Sequence, residues 1–261
     1  DQLLTYLDSP SAARQWLSEL GVRDLQRAHG NLVRMAESRL TIDLLTIICQ
    51  QLTQHLPGLS DPDRALNNLQ RYVEAARNPL ALGALFERDA DALPILLTIF
   101  SSSQFLSDDL VRDPEGYDLL RMTDGQPVAR EVLTKEILAE VEALPDERAA
   151  LAVLRRIKRR EMLRIAYGDL IREQSIEVVT RQISILADAL CSAALQAAYR
   201  KVVERHGLPR RTDGQRCRFA ILALGKLGGE ELNYSSDIDL LFLYEDEGRS
   251  DGEKSVENRE Y

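Results

Sequence analysis

The chain has 261 residues, 42 acidic against 33 basic side chains, and a formal charge of −9. That length buries a sizeable core in one or two domains, and the acidic balance argues against a general nucleic-acid binder. No apolar run reads as a membrane span, no basic-plus-apolar leader is visible, and the widely spaced Cys49, Cys191 and Cys217 give neither a disulfide framework nor a zinc spacing, so a reducing cytoplasm is expected.

Taken in order, most of the chain carries a helical pattern. Pro57-Gly58, Asn78-Pro79, Asp113-Pro114, Gly125 with Pro127, and Pro145 punctuate it as turns or helix ends. Asp61-Pro62 reads as an N-cap with proline at the first helical position, leading into an amphipathic helix over 65–76. Ser107, Asp108 and Asp109 suggest a further capped segment, and His29, His55 and His206 read as isolated surface or capping residues. Residues 155–164 hold Arg155, Arg156, Lys158, Arg159, Arg160 and Arg164 around Glu161. Part of that run is a solvated face, and part suits phosphate, which guanidinium groups bind bidentately.

The clearest helix is expected over 175–205. Ile176, Val179, Ile183, Leu186, Leu190, Ala193 and Ala197 recur at spacings of three and four. The amphipathic helices before it favour an intramolecular bundle over a coiled-coil dimer. Composition then shifts at 209–214 to a polar linker followed by strand-like segments, which places a boundary near 212. The expected organisation is a helical domain over 1–212 and the start of a second domain over 213–261, an α+β chain that is mainly α. The charged tail over 245–261 reads as a loop or a frayed end.

Residues 224–244, LGKLGGEELNYSSDIDLLFLY, carry the chemistry. Phe219–Leu224 is short and continuously apolar, as a buried strand is, and 238–244 is nearly so. Between them lie Gly228 and Gly229, a short helical stretch, and a strand expected to open with Asp237 and Asp239. Residues two apart on a strand share a face, so both carboxylates can reach one hard cation. Magnesium accepts one or two carboxylates and leaves room for water and phosphate. Glycines let backbone N–H groups approach phosphate. The motif's parts also have plain readings: a solvated Asp-x-Asp, a Gly-Gly turn, a surface Lys226.

The wording GKLGGEELNYSSDIDLLFLY resembles the adenylyl-removing half of the bifunctional glutamine synthetase adenylyltransferase/adenylyl-removing enzymes. Segments 78–94, 102–115 and 154–170 resemble the same family, so the likeness spans most of the chain. It implies a polymerase-β-like nucleotidyltransferase domain, catalytic and magnesium-binding roles for Asp237 and Asp239, and phosphate or nucleotide contacts from Gly228, Gly229, Ser236 and Lys226. Asn233 and Ser235 would order the turn before the strand. The implied reaction is phosphorolytic removal of AMP from a glutamine synthetase tyrosine, the opposite half adding AMP from ATP. The implied partners are glutamine synthetase, a PII-type signalling protein, phosphate and AMP, ADP or ATP, in the cytoplasm, with no nucleic acid and no membrane.

The resemblance also implies a third carboxylate on a later strand. The chain to Tyr261 reads as an N-terminal fragment without it, expected to be inactive alone; Glu245, Asp246 and Glu247 are the nearest substitutes. Two other readings stand beside this one: a different polymerase-β-type transferase, and a helical interaction module that binds glutamine synthetase or a PII-type protein around an incomplete site.

Overall fold

Short polar side chains and prolines set where the helices begin. The computed structural model describes residue 6 and residues 9–38, 40–144 and 146–261; Pro145, expected in a turn, lies outside them. Asp24, Thr41, Asp61 and Ser103 each accept a hydrogen bond from a backbone N–H in the helix turn that follows, satisfying donors that a helix start leaves without partners. The helices they open are α2 (Leu25–Glu37), α3 (Ile42–His55), α4 (Pro62–Ala75) and α7 (Gln104–Arg112). With α1 (Pro10–Glu19), α5 (Pro79–Arg88), α6 (Ala92–Ser102) and α8 (Gly116–Thr123) they form a first compact unit, residues 1–124 with Leu170–Arg172. Asp61 and Pro62 act as the sequence indicates. The expected cap near Ser107 lies instead at Ser103; Ser107 is inside α7, and its hydroxyl donates to the Ser103 carbonyl. Tyr72, Leu66, Leu69, Leu93, Leu97 and Phe100 are buried where α4 meets α6 and α7. Cys49 is also buried, which pushes its thiol up to about 12.

The second unit comprises residues 125–169 and 173–261. Its helices are α9 (Arg130–Glu142), α10 (Glu147–Leu170) and α11 (Ile176–His206). Arg130 pairs with Asp188, and Gln196 donates to Glu142, so contacts climb α9 and α11 together and the two run in the same direction. The stripe on α11 is the packing seam. Val179, Ile183, Leu186, Ala193 and Ala197 are buried against Leu133, Ile137 and Val141 of α9 and Leu154 and Ile157 of α10. Ile176, at the start of the stripe, is 65% exposed. By length and hydropathy α11 passes as a membrane-spanning helix, contrary to the expectation from the sequence, but it supplies the core of this bundle. Such a core helix is apolar because it is packed on several sides.

Strands begin at Pro209. β1 (Pro209–Arg211) pairs antiparallel with β4 (Gly248–Ser250), and β2 (Phe219–Leu224) pairs antiparallel with β3 (Asp239–Tyr244). A four-residue helix, α12 (Gly225–Gly228), follows β2. The change from helix to strand thus falls close to 212, whereas the compact units divide near 124. The reason is the core: Leu227, Leu232, Ala223 and Leu240 all pack on the α9–α11 bundle, which ties the strands to those helices. The tail is not frayed. Asn258 donates to the Arg210 and Asp246 carbonyls, and the Tyr261 ring lies 5.9 Å from that of Tyr199.

The β2–β3 ribbon is far more exposed than its apolar sequence suggests. One face meets the helices at Ala223 and Leu240, while Phe242 further along the same face is exposed. The other pairs Leu222 with Leu241 and Ala220 with Leu243, and Leu222 and Leu241 are 47% and 44% exposed. A contiguous apolar face of this kind binds apolar probes or other chains. Replacing Leu222 and Leu241 together by Lys should lower the fluorescence of a bound hydrophobic dye several-fold while helical circular dichroism stays constant. Unchanged dye binding would contradict this surface. At the far end of β3, Glu245 accepts from Arg218 and Arg211. The Arg218 hydrogen bond, first, holds its carboxyl at about 2. Its lowered pKa means that its contribution is complete above the ordinary value near 4.5 and fades as pH falls towards 2. Carboxyl NMR titration should find Glu245 near that low value, and Arg218→Ala should return it towards the ordinary range; an ordinary value in the unaltered chain would contradict the clamp.

Candidate functional site

The antiparallel register places the end of β2 beside the start of β3. Leu224 lies opposite Asp239, on the ribbon face turned away from the helices. Directly after Leu224 the chain turns through Gly225, whose φ is +55°. That left-handed conformation suits glycine, which has no Cβ. The missing Cβ matters for chemistry too: one placed at Gly225 would lie 3.1 Å from Asp239 Oδ2. Gly225 therefore keeps open the space at the Asp239 carboxylate. The spacing argument from the sequence did not single it out, although a glycine closing an apolar strand was the available signal.

Asp239 is exposed and opens β3, whereas Asp237 stands two residues before the ladder. The strand expected to open at Asp237 starts later because β2 ends at Leu224 and leaves nothing opposite residue 237. Among the described residues neither carboxylate has a hydrogen bond or an ion pair, and no three His, Cys, Asp or Glu side chains converge as a metal cluster. The exposed, uncompensated Asp239 carboxylate beside the margin cleared by Gly225 has the oxygen chemistry that a hard divalent cation takes, and Asp237 is exposed two residues before it. Neither lines the cavity of about 610 Å³ in this unit, which lies between α11 and the approach to β2, where the Arg216 guanidinium sits 5.6 Å from the Tyr199 ring centre.

Gly228 packs tightly: a Cβ there would come 2.6 Å from the Ala223 carbonyl oxygen. Gly229 and Lys226 are exposed at the same turn. Ser236 is engaged locally. Its hydroxyl donates to Asn233 Oδ1 at 2.8 Å and accepts from the Asn233 amide, while the Ser235 amide also donates to Asn233 Oδ1. Asn233 thus organises the turn before β3, as Asx side chains do.

Part of the basic run on α10 is engaged by the protein, while Arg155 and Lys158 are exposed. Arg156 and Arg160 pair with Glu140. Arg164 is buried, donates to Glu161 at 2.7 Å, and reaches Gln182 and the Gln126 carbonyl. Nor do the residues after β3 supply a third ligand. Glu245 lies six residues from Asp239, roughly 20 Å along an extended strand, and is held by arginines. Glu247 accepts from Tyr244, and Asp246 caps the Glu247 amide.

A family model described as glutamate-ammonia ligase adenylyltransferase matches residues 93–261. Curated relatives carry the name bifunctional glutamine synthetase adenylyltransferase/adenylyl-removing enzyme. One from Thioalkalivibrio sulfidiphilus is 35% identical over 64% of this chain and 17% of its own length. One from Pseudomonas putida is 28% identical over 97% of this chain and 27% of its own length. The chain therefore spans about a quarter or less of the relatives it matches. The family match covers both the bundle helices and the whole glycine–aspartate segment, and the chain belongs to the glutamate-ammonia ligase adenylyltransferase family.

Proposed function

We propose that this chain supplies the first two carboxylates, the glycine turn and the helical support of a nucleotidyl-transfer site that removes AMP from adenylylated glutamine synthetase. The observation that carries this reading is the pairing of Leu224 with Asp239, which sets the Asp239 carboxylate against the space cleared by Gly225. The relatives' names supply the substrate. The resemblance of ELNYSSDIDL to the removing half supplies the direction. A PII-type partner, magnesium and a cytoplasmic setting belong to the same proposal and rest on that resemblance.

In this reading inorganic phosphate attacks the phosphorus of the AMP–tyrosine diester. A new P–O bond forms, the bond to the tyrosine oxygen breaks, and that oxygen leaves and takes up a proton, giving ADP and free tyrosine. Asp237 and Asp239 would hold a divalent cation, which when bound offsets phosphate charge and aligns the reacting oxygens. Backbone N–H groups near Gly228 and Gly229, with Lys226, would steady the phosphate oxygens. Ser236 orders the turn first, and through it the approach to Asp237.

A second reading has its own support. Among the described residues no three candidate ligands converge, so the bundle also suits an interaction module that docks glutamine synthetase. One assay separates the two. In the longer protein that carries this chain, Asp237→Asn or Asp239→Asn should lower deadenylylation by at least about a hundredfold, the scale of losing one transition-state electrostatic contact, with binding of glutamine synthetase retained. Full activity with unchanged magnesium dependence would falsify the catalytic assignment.

A further inference from the structure

The loop between α12 and β3, residues 229–238, has no regular structure of its own, yet it joins the glycine turn to Asp237. It is tied to the helices at three places. The Glu230 carboxylate accepts from Arg130 at 2.6 Å and lies 3.3 Å from Arg181. The Leu232 amide donates to the buried Ser184 hydroxyl at 3.1 Å. The Tyr234 hydroxyl donates to Asp169 at 3.0 Å.

The first tie has an unusual feature. Glu230 adopts φ of +57°, left-handed backbone that glutamate rarely takes. Gly, Asn or Asp would sit there with less strain. Strain of this kind persists where the surroundings over-determine the conformation, and it concentrates at functional sites. Here the surroundings are built to receive the carboxylate. The Gln182 side-chain amide accepts from the Val128 N–H and donates to the Val128 carbonyl, which fixes the chain two residues before Arg130. Gln182 is oriented in turn by Arg164, itself buried against Glu161. A chain of contacts thus runs from the buried ion pair of α10, through Gln182 and Val128, to Arg130 and Glu230.

We propose that Glu230 is a positioning residue: bridged by Arg130 and Arg181, it holds the 229–238 loop so that the glycine turn and Asp237 keep a fixed geometry beside Asp239. The role rests on the nucleotidyl-transfer reading of that site. Glu230 touches no substrate; it acts through the loop, where a misplacement of about 1 Å is enough to cost a hundredfold in rate.

Backbone strain and loop positioning make opposite demands, and that separates them experimentally. Glu230→Gly relieves the strain and removes the bridge, so the melting temperature should stay level or rise. Amide exchange at 231–238, including the Leu232 N–H, should speed up at least tenfold in the 261-residue chain. In the longer protein the same change should lower kcat for deadenylylation at least tenfold, with KM for adenylylated glutamine synthetase little altered. Glu230→Gln keeps the strain without the charge and should loosen the loop while lowering the melting temperature. Glu230→Asp should recover part of both the protection and kcat. Unaltered loop exchange in Glu230→Gly and Glu230→Gln, or faster exchange with full kcat, would overturn the proposal. Asp237→Asn is run alongside: if it stays active the catalytic reading itself fails, whereas its loss of activity beside a fully active Glu230→Gly removes only the positioning role.

Discussion

Two leucines hold the site to the protein. Leu227, in the four-residue α12, and Leu232, in the loop that follows, are buried in the α9–α11 core, while most residues around them are exposed. Burying a leucine is worth about 1.5–3 kcal/mol relative to leaving it in water. That is enough to fix two points of a segment that is otherwise polar and glycine-rich. The β2–β3 ribbon adds Ala223 and Leu240 to the same core. Asp239, opposite Leu224, lies on the face of the ribbon away from these anchors.

Such an arrangement separates stability from chemistry. The bundle carries most of the buried apolar surface of its unit and a buried ion pair whose groups are all hydrogen-bonded. A buried pair of this sort is weak evidence for stability in itself, but here it orients Gln182 and, through it, the start of α9. The ribbon can then leave two carboxylates without cationic partners. Both are exposed, so water rather than a counter-charge solvates them.

Much of this was legible in the sequence where the governing interactions are local. The Asp61-Pro62 cap, the α11 stripe and the apolar runs at 219–224 and 238–244 all follow from periodicity and capping, and the structure has them within a residue or two. The start of β3 was not legible, because it depends on where β2 runs out of partners at Leu224. The role of Arg164 was hidden for a similar reason: a basic run looks solvated until its glutamate and glutamine partners, on the same and a later helix, are placed. Arg130 and Glu230 are one hundred residues apart, and no local pattern joins them. The tail after Glu245 looked patternless because its order comes from β1 and Tyr199, not from its own sequence. Exposure of the ribbon was misread because apolar runs reveal strands, not how many of their faces are covered.

The central claim is that Asp237 and Asp239 act together as one cation site at the mouth of the ribbon. Paramagnetic relaxation from substoichiometric Mn²⁺ tests it most directly, read amide by amide on the isotopically labelled 261-residue chain. One site beside Gly225 predicts that the signals of Gly225, Asp237, Ile238 and Asp239 broaden first, and that Asp239→Asn abolishes the effect. Broadening spread over the other acidic residues, or centred on the charged segment after β3 and untouched by Asp239→Asn, would contradict it.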